Sequence, residues 1–404
     1  MKTPQLEKKS LFDFNLRMGV SPLALFVLAI IVGLQATSLQ AQYAGGDGTT
    51  DNPYQIAMAD QLNFLGTDSA NWDKEFKVVA PIDLTGLTYN VIGEPNQPFT
   101  GVFDGDCFPI SNLNISAAAN NAIGLFGTIN GSGAVVRDVQ LVDAVLNLAM
   151  ISSVGAIAGN VIEGTLNECV AKNVTVAGFE SVGGLVGSLN ISAVVTNCYS
   201  SGSVTGRDNV GGLGGFNLQG SVSRSFSSCT VNTDGDSLGN GFGGLLGKNG
   251  GTVENCYAHG AVTGNINNGG LIGFNEPPAA VTNCYAANTV TGVLLTGGLL
   301  GNNGGLVVDE SFWDEEVSLI ATMCGSGSVG ACDDNAGQTT SAMQDPNIYL
   351  ANGWDFITEI VNGLNDIWKL YQPGSGYPQI WWEKFLLNPV LPNVTEYEFP
   401  LDGN

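Results

Sequence analysis

Histidine is nearly absent from this chain, and basic residues are scarce. One His stands among 404 residues, with 13 Lys plus Arg against 37 Asp plus Glu. A single imidazole excludes the multi-histidine zinc sites of most metallohydrolases and leaves little room for His-based acid–base chemistry. The shortage of cations argues against nucleic acid, whose binding rests on Lys and Arg placed on phosphates. It argues equally against anionic membranes and polyanionic glycans. Charged residues of both signs make up only 12% of the chain, a low share for a globular protein. Between 120 and 312 no stretch has the periodicity of a helix long enough to matter. What the chain has instead is glycine, 56 residues of it, and a hydrophobic content of 44%, ample for a core and inconsistent with global disorder.

The first 41 residues form a targeting pattern. Lys2, Lys8, Lys9 and Arg17 precede an apolar run from Leu23 to Leu34, and small residues follow from Ala36 to Ala41. A basic region, a short apolar run and a small-residue exit read as a secretory signal, too short for a spanning helix. Residues 1–41 are therefore expected to be removed, leaving 9 basic against 35 acidic residues and no transmembrane segment. The expected location is extracellular or on the cell surface.

A glycine–apolar–glycine block recurs seven times. Its fullest copies are Gly183-Gly184-Leu185-Val186-Gly187, Gly243-Gly244-Leu245-Leu246-Gly247, Gly269-Gly270-Leu271-Ile272-Gly273 and Gly297-Gly298-Leu299-Leu300-Gly301. The closing glycines, at 127, 159, 187, 215, 247, 273 and 301, are spaced by 26 to 32 residues. Three further columns keep register with them. The first reads Val139, Cys169, Cys198, Ser225, Cys256, Cys284, Ser311, and the next residue along reads Gln140, Val170, Tyr199, Phe226, Tyr257, Tyr285, Phe312. The last reads Val176, Val204, Val231, Val262, Val290. Each repeat holds about three short strand-like runs separated by Gly and Asn turns. A period near 28 with no helix predicts one coil of a parallel β-solenoid per repeat. A propeller blade would need about 40 residues and four strands.

Gly-Gly-Leu-Val-Gly followed by Val-Thr-Asn-Cys-Tyr and Val-Thr-Gly resembles the GLUG repeat of bacterial surface proteins. The flanks are similar to the family's as well: Gly45-Gly46-Asp47-Gly48 through Ile56, Ile82-Asp83-Leu84 and Phe99 to Gly105 at the start, then Ser311 to Asp314, Gly353 to Phe356 and Tyr377 to Glu383 at the close. The resemblance implies an all-β, right-handed parallel β-helix with N- and C-terminal caps, on an exported and often adhesin-like protein. It supplies no catalytic residues. Some proteins with these repeats are peptidases, but this chain has no His-Glu-x-x-His, so that role does not carry over. The expected division is a signal at 1–41, a cap and first coils at 42–120, the GLUG-repeat helix at 121–314, a Trp-rich cap at 315–390 and a tail at 391–404. A short helix from Ala57 to Leu65 is expected to close the N-terminal end.

Several side-chain groups invite chemistry. The Cys/Ser/Val column is small and packed, so its cysteines are expected to be free core thiols. Cys324 and Cys332 flank a Gly/Ser loop outside the repeat, where a local disulfide is expected. Asp47 and Asp51, Asp104 and Asp106, and Asp234 and Asp236 put hard oxygen atoms on turns, making calcium the one candidate ion. Asp138 and Glu168 fall in adjacent coils and are the candidate carboxylate pair for a polysaccharide-processing enzyme. His259 is expected to be exposed in a turn. Five of six tryptophans lie between 313 and 382, where the cap is expected to use them. The Tyr/Phe column is expected to stack and hold the coils in register.

The functional expectation is a non-enzymatic adhesion or binding module with an acidic face, its partner a glycan or protein on a cell surface or matrix. A glycoside hydrolase or lyase on the same scaffold and a structural spacer are the alternatives. Fold alone does not choose among them.

Overall fold

The computed structural model describes residues 42–304, 308–327, 331–357, 366–369 and 376–380. The signal pattern at 1–41, Trp381 and Trp382, and the tail at 391–404 lie outside the described residues. The chain winds into a parallel β-helix. Its strands fall into sheets of 16, 6 and 15 members, and among the described residues the one antiparallel strand pair joins Trp368–Lys369 to Gln379–Ile380.

One column defines the axis. Tyr54, Phe76, Phe103, Val136, Leu166, Val195, Val222, Val253, Val281 and Val308 are partners in unbroken register. With strands about 4.8 Å apart, these ten positions form a rod about 43 Å long. The solenoid thus begins well before the first glycine block. Its early coils fill their core with Phe76, Phe99, Phe103 and Phe126 in mutual contact, where later coils use Val and Leu. That exchange of rings for aliphatic side chains hides the repeat in the sequence.

The glycine block is a corner at which the coil folds tightly on itself. A Cβ on Gly269 would lie 2.0 Å from the carbonyl oxygen of Ile272, one on Gly270 2.2 Å from that of Gly298, and one on Gly273 2.4 Å from the nitrogen of Phe242. No side chain fits there, so glycine is fixed by close approach of backbone. Between the glycines, Leu271 and Ile272 are fully buried. The facing strand carries Ala258 and Ala286 at the matching level, small enough to pack against Gly244 and Gly270.

The Cys/Ser column closes the next corner. The residue before it is left-handed in every coil, with φ between 44° and 55° at Asp138, Glu168, Asn197, Arg224, Asn255, Asn283 and Glu310. The thiol or hydroxyl then donates to the carbonyl two residues back. Cys198 reaches Thr196 at 3.2 Å, Ser225 reaches Ser223 at 2.7 Å, Cys284 reaches Thr282 at 3.1 Å and Ser311 reaches Asp309 at 2.8 Å. Cys and Ser interchange because each supplies a small donor. Cys169, Cys198, Cys256 and Cys284 are free and buried, and burial holds the thiols of Cys169 and Cys256 well above their usual range.

A buried polar file runs along a third corner. The Asn217 amide donates to Asn249 at 2.9 Å, Asn249 to Asn275 at 2.9 Å and Asn275 to Asn303 at 3.2 Å, and Asn303 ends on the carbonyl of Ala331 at 2.7 Å. Each amide group has a partner on a neighbouring rung, so the buried polar groups of this file are satisfied.

The ends are closed. Helix α1 (Ala59–Leu65) buries Leu62 and Leu65 at the first coils. At the other end Trp313 lies inside the rod over Gly298. There the last strand of the largest sheet, Cys324–Gly327, is tied to the following loop by a disulfide between Cys324 and Cys332.

Candidate functional site

A group of interacting carboxylates lies at the left-handed corner of the first coils. Asp104 and Arg137 are in direct register, and the guanidinium Nη2 sits 2.8 Å from Asp104 Oδ2. Lys77, one coil earlier, reaches Asp106 at 3.1 Å. Asp138 follows Arg137, with its Oδ2 3.8 Å from Arg137 Nε. The equivalent left-handed position one coil on is Glu168, and the two carboxyl groups share a hydrogen bond. Burial, that bond and the charges of Glu168 and Asp104 together push Asp138 up to about 7, against a smaller lowering by Arg137. Asp138 therefore keeps its proton to a higher pH than a carboxylate in water would. The arrangement can donate and accept a proton at the rod's outer corner.

The calcium-candidate carboxylates are held by the turns on which they sit. Asp47 Oδ1 accepts from the backbone N–H of Thr49 at 3.1 Å and from its hydroxyl at 2.7 Å, and these bonds hold Asp47 below the usual carboxylate range. Asp51 is exposed beyond that turn. Asp104 Oδ1 accepts from the Asp106 N–H, and Asp234 Oδ1 from the Asp236 N–H. Asp236 also accepts from Leu238 N–H and pairs with Arg207 at 3.2 Å. These are Asx turns, the local bond that makes Asp a turn former. Among the described residues, no group of three or more His, Cys, Asp or Glu is arranged to hold a metal ion.

The Tyr/Phe column stacks on the outside of the rod. Tyr199 and Phe226 lie 4.3 Å apart at 25°, Phe226 and Tyr257 4.6 Å apart at 10°, and Tyr257 and Tyr285 4.9 Å apart at 9°. Within this stack Phe226 and Tyr257 have both faces covered by neighbouring rings. The tryptophans divide between two places. Trp313 is in the core, whereas Trp354 and Trp368 pack outside against Tyr285. Trp354 Nε1 donates to the carbonyl of Glu310 at 2.9 Å, and Trp368 Nε1 to Asn255 Oδ1 at 3.1 Å. The C-terminal segment thus runs back along the side of the last coils as well as closing them.

His259 is placed by that segment and is half-buried, contrary to the exposed turn position expected. Its ring lies 4.8 Å from Tyr257 and 5.3 Å from Tyr377. Sequence reasoning missed this because Tyr377 is more than a hundred residues away. It also missed the Asn217–Asn303 file, although Phe216-Asn217, Lys248-Asn249, Phe274-Asn275 and Asn302-Asn303 repeat two residues after the glycine block. That fixed spacing was the available signal.

A family model described as the GLUG motif matches residues 180–205. That segment is one coil, from the strand Glu180–Gly183 through the glycine corner to the strand Tyr199–Gly206. Halomucin of Haloquadratum walsbyi is 34% identical over 317 residues, covering 69% of this chain and 3% of halomucin. A provisionally named Gly-rich membrane protein of Evansella cellulosilytica is 33% identical over 147 residues, 34% of this chain and 16% of that protein. This chain therefore spans a small part of the length of either relative. Among solved structures, a candidate immunoglobulin A1 protease from Bacteroides ovatus has a TM-score of 0.52 at 22% identity, over 84% of this chain and 96% of that one. At that identity the likeness is one of fold. No helix among the described residues is long and apolar enough to cross a membrane. From the coil matched by the motif and the columns that repeat it, the chain is a GLUG-motif β-helix protein.

Proposed function

We propose that this chain is a non-enzymatic binding or adhesion module of an exported, surface-associated protein, presenting an acidic face to its partner. The observation that carries this reading is the unbroken column from Tyr54 to Val308. It makes the rod rigid and sets corner residues at a constant pitch, so many weak contacts can add without an ordering cost for each. Likeness to halomucin and to a Gly-rich membrane protein supports a surface role. The acidic balance favours a neutral glycan or a partner with basic groups over a polyanion. Calcium held by the Asp turns would be an accessory to this contact. The test is salt-titrated biolayer interferometry on immobilised neutral glycans, anionic glycans and basic proteins, with calcium and with chelator. The reading expects retention on a neutral or basic surface, and the basic-surface signal should weaken as salt rises. Retention on polyanions alone would contradict it.

The raised Asp138 carboxyl beside Glu168 supports a second reading, polysaccharide cleavage by general acid catalysis. Release of new sugar ends, lost in Asp138→Asn, is the result that would favour it. The spacer reading expects neither retention nor release.

A further inference from the structure

The valine column has an outer side as regular as its inner one. Leu146, Val176, Val204, Val231, Val262 and Val290 point into the core and are buried. Strand alternation turns the residues on either side of each of them outward. The file before the column reads Val145, Thr175, Ser203, Thr230, Ala261 and Thr289. Register pairs hold its first members in step, and the backbone bonds from Val231 N–H to Ala261 and from Val262 N–H to Thr289 hold the last. The file after the column reads Asn147, Ala177, Thr205, Asn232, Thr263 and Thr291, in unbroken register. All twelve residues are exposed or half-exposed.

Three properties set this face apart. It carries no charge and no large side chain, in a chain of net charge −24. Six of its twelve residues are Thr, one is Ser and two are Asn. Among the described residues, none of these hydroxyls and amides hydrogen-bonds to another group of the protein. The outer file of the largest sheet differs on both counts. Arg137, Glu254 and Asp309 stand in that file, and Ser223 donates to Thr196 at 3.0 Å. The third property is spacing. Neighbouring rungs lie about 4.8 Å apart and successive outward residues of one strand about 6.6 Å apart, so the two files form a flat rectangular net about 24 Å long.

We propose that this hydroxyl net is an ice-binding face. Oxygen atoms on a prism face of ice repeat in a rectangular net of closely similar dimensions. Waters held by successive hydroxyls are therefore already placed as the crystal needs them. The parallel ladder keeps the net rigid, so little ordering is needed on contact. A charged side chain would hold its own hydration water against the lattice, and none is present in either file. A sugar-binding face would instead offer an aromatic ring to stack on or a groove to enclose the chain, and a flat array of small side chains has neither. The inference is independent of what the acidic face binds.

The test is the ice affinity of the whole chain. Nanolitre osmometry reads the gap between melting and freezing points, and a slowly growing ice front reads the share of protein it takes up. The parent is run beside the double variant Thr230→Lys and Thr263→Lys, which places two ammonium groups in the face, and beside Thr252→Lys on the largest sheet. All three positions are exposed on strands, so the variants fold, and an unchanged melting temperature checks this. The proposal expects a freezing gap and uptake into ice for the parent chain and for Thr252→Lys, and loss of both in the double variant. A parent chain that shows no gap and is excluded from ice overturns it. So does a double variant as active as the parent, or a Thr252→Lys change that is equally damaging. Retention on a neutral polysaccharide that the double variant loses, without uptake into ice, would assign the face to a glycan and overturn it too.

Discussion

Tyr285 donates its hydroxyl hydrogen to the carbonyl of Pro378 at 2.6 Å, and the same oxygen lies 3.0 Å from His259 Nε2. A hydroxyl has one hydrogen to give, so His259 must donate through Nε2, and burial keeps the ring neutral. The only imidazole in the chain thereby helps hold the C-terminal segment against the rod.

The pH consequence has a definite sign. Burial lowers His259 from 6.5 to about 4. The folded state therefore resists its protonation, and stability present above pH 6.5 is lost as pH falls toward 4. Because the chain has one His, its Cε1–H resonance is unambiguous in an NMR titration. A midpoint near 4 is expected, and a midpoint at 6.5 would mean that the ring is solvated.

Asp138 should work in the opposite direction. Its folded value near 7 lies above the ordinary 3.8, so its contribution is fully present below pH 4 and lost as pH rises through 7. Asp138→Asn should raise stability at pH 8 by about 1–3 kcal/mol and leave it nearly unchanged at pH 4. Thermal unfolding across that range reads the difference, and a parallel loss at both pH values would contradict the assignment.

The glycine corner predicts a sharp contrast between two glycines. Gly270→Ala drives a Cβ to within 2.2 Å of a carbonyl oxygen, whereas Gly133→Ala meets nothing within 4 Å. Chemical denaturation should show a loss of about 3 kcal/mol or more for the first and within about 0.5 kcal/mol for the second.

The asparagine file makes a similar prediction. Asn249→Ala removes the partner of Asn217 and Asn275 and of the Gly251 N–H. Stranding those buried groups should cost about 2–4 kcal/mol. Asn302, one residue before a file member and pointing outward, should tolerate alanine within about 0.5 kcal/mol.

The solenoid was legible in the sequence because stacked coils impose identical constraints at equivalent positions. The valine column pairs from Val176 through Val204, Val231 and Val262 to Val290, and the aromatic column pairs in the same way from Gln140 to Phe312. The early coils were less legible because Phe76 and Phe103 meet the same packing demand with different residues. The setting of His259, Trp354 and Trp368 was not legible at all. It depends on where a non-repeating segment folds back, which no periodicity encodes. The Asp138–Glu168 pair lies between these cases: register placed the two together, but the upward shift of Asp138 depends on burial and on Asp104 and Arg137 nearby.

The most direct measurement of the central claim is one incubation of the chain with a panel of neutral and acidic polysaccharides, scored for retained protein and for new sugar ends. A binding module predicts retention on at least one surface with no new ends above the protein-free control. Cleavage of any member, abolished by Asp138→Asn, would contradict the account and make the acidic corner an active site.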